Sequence, residues 1–441
     1  MKYWVHAWWY DLLWYCATPL IAVYLLWRGR KQKEYRQHWG ERWGFYAIKS
    51  DAPLIWVHAV SVGETQAAQP LVEALLAAYP NHRILLTHMT PTGRATGERL
   101  FGDRVLRCYL AYDYPCATAR FFKHFQPVLG ILLETEIWPN LLRQARQRGV
   151  PMALVNARLS EKSARKAHRW GSLMRTALRS LRLIAAQTPA DAQRLQALGA
   201  AHVVVTGNLK FDVALDESLH QLGLQWRNAI DAGDRENTRQ PRPVVLAAST
   251  REGEEALILE KLPALAADAL LVLVPRHPQR FEEVAQFLHQ QNIPFARRSQ
   301  WQPGQAIAAS VRVWLGDSMG EMPAYCTVCD AAFIGGSLLP LGGQNLIEAC
   351  AVGKPVLIGP HTFNFAQASE QAITAGAARR VDDATMLMTL ANRILQQPEK
   401  QEAMASAALA FSQQHRGATQ RTMARLAGLL TGNSDAAAGK S

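Results

Sequence analysis

DAAFIGGSLLPLGGQNLIEACAVGKPVLIGPHTFNF, running from Asp330 to Phe365, carries a strand, a glycine-bearing loop, a helix and a second strand. The apolar run Ala331 to Ile334 ends at Gly335 and Gly336. A second pair, Gly342 and Gly343, precedes the helical pattern Leu346, Ile347, Ala349 and Cys350, which stops at Gly353, and Pro355 to Ile358 opens the next buried strand. Glycines between a strand and a helix let backbone N–H groups approach an anion, and the helix N-terminus adds partial positive charge. A phosphate or a polar sugar suits such a loop.

The same alternation extends on both sides. Val244 to Ala248, Ala269 to Val274, Val311 to Leu315, Ala331 to Ile334 and Val356 to Ile358 form one series of short apolar runs between helical segments. Leu54 to Val57, Ile84 to Thr87, Val128 to Leu133, Met152 to Val155, Leu183 to Ala186 and Val203 to Thr206 form an earlier one. Each series predicts βαβ units and a parallel sheet covered on both faces. The expected organisation is an anchor at 1–30, a Rossmann-like domain at 31–215, a polar linker at 216–242, a second Rossmann-like domain at 243–430 and a small, polar, disordered tail at 431–441. Two doubly wound domains of this kind are expected to face a cleft lined by the carboxyl ends of their strands.

The 441 residues exceed one ordinary core, and 49% hydrophobic content supports two. A formal charge of +12, from 48 basic and 36 acidic residues, points to an anionic partner. Six scattered cysteines suit a reducing compartment, and the Cys326 to Cys329 pair lacks the further ligands of a zinc site and the setting of a redox motif, so both thiols are expected to be structural. Tyr3 to Trp27 is long and apolar enough to enter a bilayer; Trp4, Trp8, Trp9 and Trp14 suit its interface, and Arg28, Arg30, Lys31 and Lys33 place the following chain in the cytoplasm. A soluble helix docked on the core is the alternative. The basic, amphipathic stretch Ser160 to Ser180 fits an anionic membrane surface or an ordinary surface helix.

Several turns at carboxyl strand ends carry candidate chemistry. Ser61 and Glu64 fit a capping box, and a carboxylate at that place can also accept a proton. Glu134 and Glu136 point the same way if the chain is extended, while Pro139 marks a helix start. Lys210 closes the first series and can meet an anionic group or solvent. Ser249 to Glu255, Pro275 to Pro278 and Gly316 to Glu321 are polar turns of the second series. Neither a Walker A run nor a G-x-G-x-x-G at a first βα turn is present, which weighs against an NTPase or a dehydrogenase. No His/Asp/Glu set has convincing metal spacing.

Taken together, Ser61-Val-Gly-Glu64, Glu134-Thr-Glu-Ile-Trp-Pro-Asn140, Gly207-Asn-Leu-Lys210, Pro275-Arg-His-Pro278, Met319-Gly-Glu321 and Gly335-Gly-Ser through Asn364-Phe365 resemble the Kdo transferases of lipopolysaccharide synthesis. These enzymes move 3-deoxy-D-manno-oct-2-ulosonic acid (Kdo) from CMP-Kdo to a lipid A precursor. The resemblance implies an α/β GT-B fold, an acceptor domain anchored at the cytoplasmic face of the inner membrane, and a C-terminal domain for CMP-Kdo. It implies inverting transfer to lipid IVA with no cofactor and no metal, and no nucleic-acid partner. It assigns Glu64 as general base and Glu134 and Lys210 to transition-state support. Pro275, Arg276, Met319, Gly320, Glu321, Asn345, Leu346, Ile347 and Glu348 fall on CMP-contacting positions. Gln344 stands where family members often carry histidine; its amide can donate a hydrogen bond but cannot carry a proton. The alternatives are another membrane-associated GT-B enzyme using a nucleotide-diphosphate sugar and a non-catalytic sugar- or lipid-binding relative.

Overall fold

The computed structural model describes residues 8–212, 216–233 and 241–438. The chain divides into two compact units, Met1–Val213 with His415–Ser441, and Ala214–Gln414. In the first unit seven strands, β1 (Leu54–His58), β2 (Arg83–His88), β3 (Val105–Tyr109), β4 (Leu129–Leu133), β5 (Met152–Ala157), β6 (Leu183–Ala186) and β7 (Val203–Val205), form one sheet in the order β3-β2-β1-β4-β5-β6-β7. The second unit repeats the plan with β8 (Val244–Thr250), β9 (Leu270–Pro275), β10 (Phe295–Arg297), β11 (Val313–Leu315), β12 (Ala331–Ile334), β13 (Val356–Ile358) and β14 (Ala378–Arg380), ordered β10-β11-β9-β8-β12-β13-β14. All pairings are parallel. Parallel strands need crossover helices on both faces, which is why β1, β4 and β12 read as continuous apolar runs with every residue buried.

The eleven apolar runs all become strands. The three unforeseen strands, β3, β10 and β14, lie at sheet edges, where partial exposure leaves no continuous apolar signature.

Two expected boundaries shift. Much of the expected linker, 216–242, is the helix Glu217–Gly233, whose fully buried Trp226 packs 5.1 Å from Trp314 and 4.8 Å from Tyr325 by ring centroids. Its polar residues, among them Ser218, His220, Gln221, Gln225 and Asn228, interrupt that apolar stripe in the sequence; residues 234–240 of the linker lie outside the described residues. At the other end the chain returns to the first unit. Asp212 accepts hydrogen bonds from the backbone N–H groups of Gly417 and Thr419, Arg421 Nε donates to Thr206 O at 2.8 Å, and the helix Ala418–Ala438 buries Ala418 and Leu426 in the first unit's core. The second unit therefore ends at Gln414 rather than 430, and the expected disordered tail is helical through Ala438, with 439–441 outside the described residues.

Of the expected anchor, residues 1–7 lie outside the described residues, and Trp8–Lys31 is one helix. Its stretch Trp8–Arg30 is long and apolar enough to cross a membrane. Its opening turns are nonetheless tied to the protein: Tyr10 donates to Asp113 at 2.8 Å, Asn140 donates to Asp11 at 2.7 Å, and Trp14 packs on Tyr112, Tyr114 and Trp138. The basic stretch Ser160–Ser180 is two helices, Glu161–Arg169 and Gly171–Ser180, and Trp170 between them packs on Trp9 with centroids 5.5 Å apart and ring planes tilted by 35°.

Candidate active site

In each sheet the chain reverses direction across the strand order once: between β1 and β4 in the first unit, and between β8 and β12 in the second. The crevice outside the carboxyl ends at such a reversal is where open α/β sheets take ligands. Glu64 follows β1 and Glu134 follows β4; the Ser249–Glu255 turn follows β8 and the glycine loop follows β12. Glu64 and Glu134 in the first unit, and these two turns in the second, thus sit at switch points.

Glu64 lies in the first turn of the helix Val62–Ala78. Ser61 caps the helix, accepting from the Glu64 N–H at 3.5 Å and donating its hydroxyl to Glu64 Oε1 at 3.3 Å. The expected return bond runs one residue further back than in a capping box, because Glu64 Oε2 accepts from the Val60 N–H at 2.9 Å. Burial is the main force on this carboxyl and raises its pKa to about 7; the Val60 donor opposes, and the charges of Glu136 and Glu134 push further upward. The side chain that completes the cap is thus also a carboxyl with a raised pKa. Beneath the turn, His88 Nδ1 lies 2.9 Å from Ala59 O, so that ring nitrogen carries the hydrogen, and the Met89 and Thr90 N–H groups donate to Val60 O.

Glu134 does not continue the strand. It has φ +55°, a left-handed conformation rare for a side-chain-bearing residue, so the extended geometry expected for Glu134 and Glu136 is replaced by a turn. The turn still brings their charges together. Glu134 is buried, with Lys210 Nζ 3.5 Å from Oε1 and Arg158 Nε 3.0 Å from Oε2. Glu136 accepts from Trp138 Nε1 at 2.8 Å, and burial, aided by Glu134, raises its pKa to about 7 against that donor. Pro139 begins the helix Pro139–Gln147, so the helix-start reading holds for the proline while both acids precede the helix. Lys210 is placed by its loop: Asn156 Oδ1 accepts from the Leu209 N–H at 3.0 Å, and Asn208 Oδ1 accepts from the Lys210 N–H at 3.0 Å.

In the second unit the fully buried Glu254 joins the two turns of the switch point. Its carboxylate accepts from the backbone N–H groups of Arg251, Gly336 and Leu338. Gly335 must be glycine, since a Cβ there would lie 2.6 Å from Ser249 O. The helix after the loop is only Ile347–Ala351, and the loop closes on itself through the Gly343 N–H to Gly336 O at 2.7 Å and the Gln344 N–H to Gly335 O at 3.0 Å. Asn345 accepts from the Ile347 N–H at 3.1 Å and donates to Glu348 at 2.9 Å; burial raises the Glu348 pKa, with Asn345 and the charge of Arg276 opposing. Arg276 is held by its N–H to Thr250 O at 2.9 Å. Glu321 pairs with Arg298 at 2.8 Å, Gly320 turns at φ +86°, and Met319 is exposed. Pro275 ends β9. Cys326 and Cys329 are buried with raised pKa values from burial, which suits packing thiols. Among the described residues, no group of three or more His, Cys, Asp or Glu is arranged to hold a metal ion.

A 3-deoxy-D-manno-octulosonic acid transferase of Bordetella pertussis is 47% identical over 92% of this chain and 95% of its own length. The chain belongs to the Kdo transferase family. The Haemophilus influenzae 3-deoxy-D-manno-octulosonic acid transferase is 38% identical over 94% of this chain and 96% of its own, and residues 37–213 match the family described as 3-Deoxy-D-manno-octulosonic-acid transferase (kdotransferase). In fold, the UDP-GlcNAc 2-epimerase of Neisseria meningitidis superposes over 85% of this chain and 100% of its own with a TM-score of 0.57 at 15% identity, a likeness of GT-B architecture alone.

For a Kdo transferase, the motifs quoted above lead to Glu64, Glu134 and Lys210 but pass over two residues, one in each unit: Arg158 beside Glu134, and Glu254 at the second unit's glycine loop. Arg158 follows β5 with nothing in the sequence to distinguish it from the basic run after it. Glu254 stands inside a quoted turn, yet its full burial on three amides depends on a loop far along the chain.

Proposed function

We propose that this Kdo transferase moves Kdo from CMP-Kdo to a sugar hydroxyl of a lipid A precursor, lipid IVA, with inversion, at the cytoplasmic face of the inner membrane. The observation that carries the reading is Glu64: a carboxylate at the β1–β4 switch point, fixed by Val60 and Ser61, with a pKa raised to about 7. A base is most effective when its pKa lies near the working pH. Glu64 takes the proton of the attacking hydroxyl as its oxygen bonds to the anomeric carbon of Kdo. The bond from that carbon to the CMP phosphate breaks at the same centre, and CMP leaves with the electron pair. Glu134, held between Lys210 and Arg158, faces the positive charge that develops on the sugar.

CMP is assigned to Pro275, Arg276, Met319, Gly320, Glu321, Asn345, Leu346, Ile347 and Glu348, where loop N–H groups and the Arg276 charge oppose the growing negative charge of the leaving phosphate. The exposed apolar side chains of the helix Trp8–Lys31 and the adjoining basic helices suit an enzyme whose acceptor is an anionic lipid. Incubating purified protein with CMP-Kdo and tetraacylated lipid A precursor tests the reading by product mass spectrometry. Formation of Kdo-lipid with equimolar CMP supports it, and absence of both overturns it.

A further inference from the structure

The guanidinium of Arg158 uses only part of its hydrogen-bonding capacity. Its Nε lies 3.0 Å from Glu134 Oε2, and its two terminal nitrogens have no protein partner among the described residues. The side chain is 48% exposed while that of Glu134 is 9% exposed, so the buried end is the carboxylate and the open end is the fork of the guanidinium. On the other side of the same carboxylate, Lys210 Nζ stands 3.5 Å from Oε1. Two cations therefore flank one acid.

A structural purpose explains this arrangement poorly. Half-exposed ion pairs contribute little to stability. A guanidinium steered by one carboxylate at Nε presents its remaining N–H groups in a fixed plane, the geometry that receives a second carboxylate or a phosphate through two parallel hydrogen bonds. The location is also telling: Arg158 follows β5, the neighbour of β4, at the carboxyl end of the sheet that carries Glu64.

We propose that Arg158 is a substrate-reading residue whose free guanidinium edge binds an oxyanion of the reacting pair, either the carboxylate of the transferred sugar or a phosphate of the acceptor. The proposal rests on the Kdo-transfer reading above. Binding either oxyanion beside Glu134 places the sugar or its acceptor against the Glu64 side of the site, and it makes the anion a requirement for turnover rather than a passenger.

Full-length protein in detergent micelles is assayed with CMP-Kdo and with a donor whose sugar carboxylate is a carboxamide, each against acceptors bearing two phosphates or one. The wild type is expected to discriminate against one of the two altered substrates by about 100-fold in kcat/KM. Arg158→Met is expected to lose about that factor on the natural pair and to lose little on the altered substrate, which erases the discrimination. Loss of carboxylate discrimination assigns the donor sugar, and loss of phosphate discrimination assigns the acceptor. Arg158→Lys keeps the charge without the planar fork and should fall between the two. An equal loss on every substrate, or an unchanged discrimination ratio, overturns the proposal and leaves Arg158 as a support for Glu134. A wild type inactive with CMP-Kdo overturns the underlying reading as well, so the two failures are distinguishable.

Discussion

The Val60 backbone N–H donates to Glu64 Oε2 across 2.9 Å, so the turn that starts the first crossover helix also aims the carboxylate proposed as the base. Replacing Glu64 with glutamine keeps the cap's shape and removes only the proton acceptor. Glu64→Gln should therefore reduce kcat by about 100-fold or more while circular dichroism and thermal midpoint stay near wild type. The base works when deprotonated, and burial raises its pKa to about 7, so wild-type kcat/KM should rise with pH through 7 and level off above it. A flat profile between pH 5.5 and 8 would remove Glu64 from the role.

One buried acid, Asp113, and two half-buried ones, Glu64 and Glu136, give a second prediction, on stability. Glu64, Glu136 and Asp113 are each raised to about 7, mainly by burial, from ordinary values of 4.5, 4.5 and 3.8. The folded state therefore holds more protons than the unfolded chain across that interval, and stability falls as pH rises from the ordinary values through 7. The thermal midpoint should drop between pH 5 and pH 8. Glu136→Gln keeps an oxygen to accept from Trp138 Nε1 and should gain on the order of 1–3 kcal/mol relative to wild type at pH 8 but little at pH 5. An equal effect at both pH values would mean that the Glu136 charge is not the cause.

What the sequence made legible divides along a physical line. Strands buried on both faces leave continuous apolar runs, so β1, β4, β8 and β12, which define both switch points, were readable, and with them the turns that hold Glu64, Glu134 and the glycine loop. Relations that depend on distant segments were not. Glu254 meets Gly336 and Leu338 only after the sheet has formed, Arg158 meets Glu134 across two strands, and the return of Ala418–Ala438 to the first unit depends on Asp212. The helix Glu217–Gly233 was hidden for another reason: its polar face outnumbers the stripe that buries Trp226.

Glu254 supplies a third prediction. Its carboxylate satisfies three backbone N–H groups from two turns, and each buried donor left unpaired costs roughly 1–3 kcal/mol. Glu254→Ala should lower stability by several kcal/mol and, in whatever protein remains folded, weaken CMP binding by at least about tenfold, because a 1.4 kcal/mol loss of loop order already accounts for that factor. Gly335→Ala attacks the same junction sterically and should cost about 1–3 kcal/mol. Calorimetry and CMP titration read both effects; normal CMP affinity in a destabilised Glu254→Ala protein would separate the junction from the nucleotide.

The N-terminal helix separates docking from membrane contact within one element. Its opening turns hold Asp11 against Asn140 at 2.7 Å and Arg143 at 3.7 Å, partners that a lone span in hydrocarbon would lack. Further along, Leu20 and Val23 are 73% and 64% exposed with no protein cover. The two ends should therefore respond differently. Asp11→Ala leaves a donor of Asn140 without its partner and should lower the thermal midpoint, by about 1–3 kcal/mol of stability, while the protein stays with the membrane fraction. Leu20→Asp with Val23→Asp removes apolar contact and adds charge where a bilayer would lie, so it should move protein into the soluble fraction and reduce flotation with anionic vesicles while leaving the midpoint unchanged. If the Leu20 and Val23 changes instead lowered the midpoint and left flotation intact, those side chains would be packing against protein, and the exposed face would have to be explained by a partner rather than by lipid.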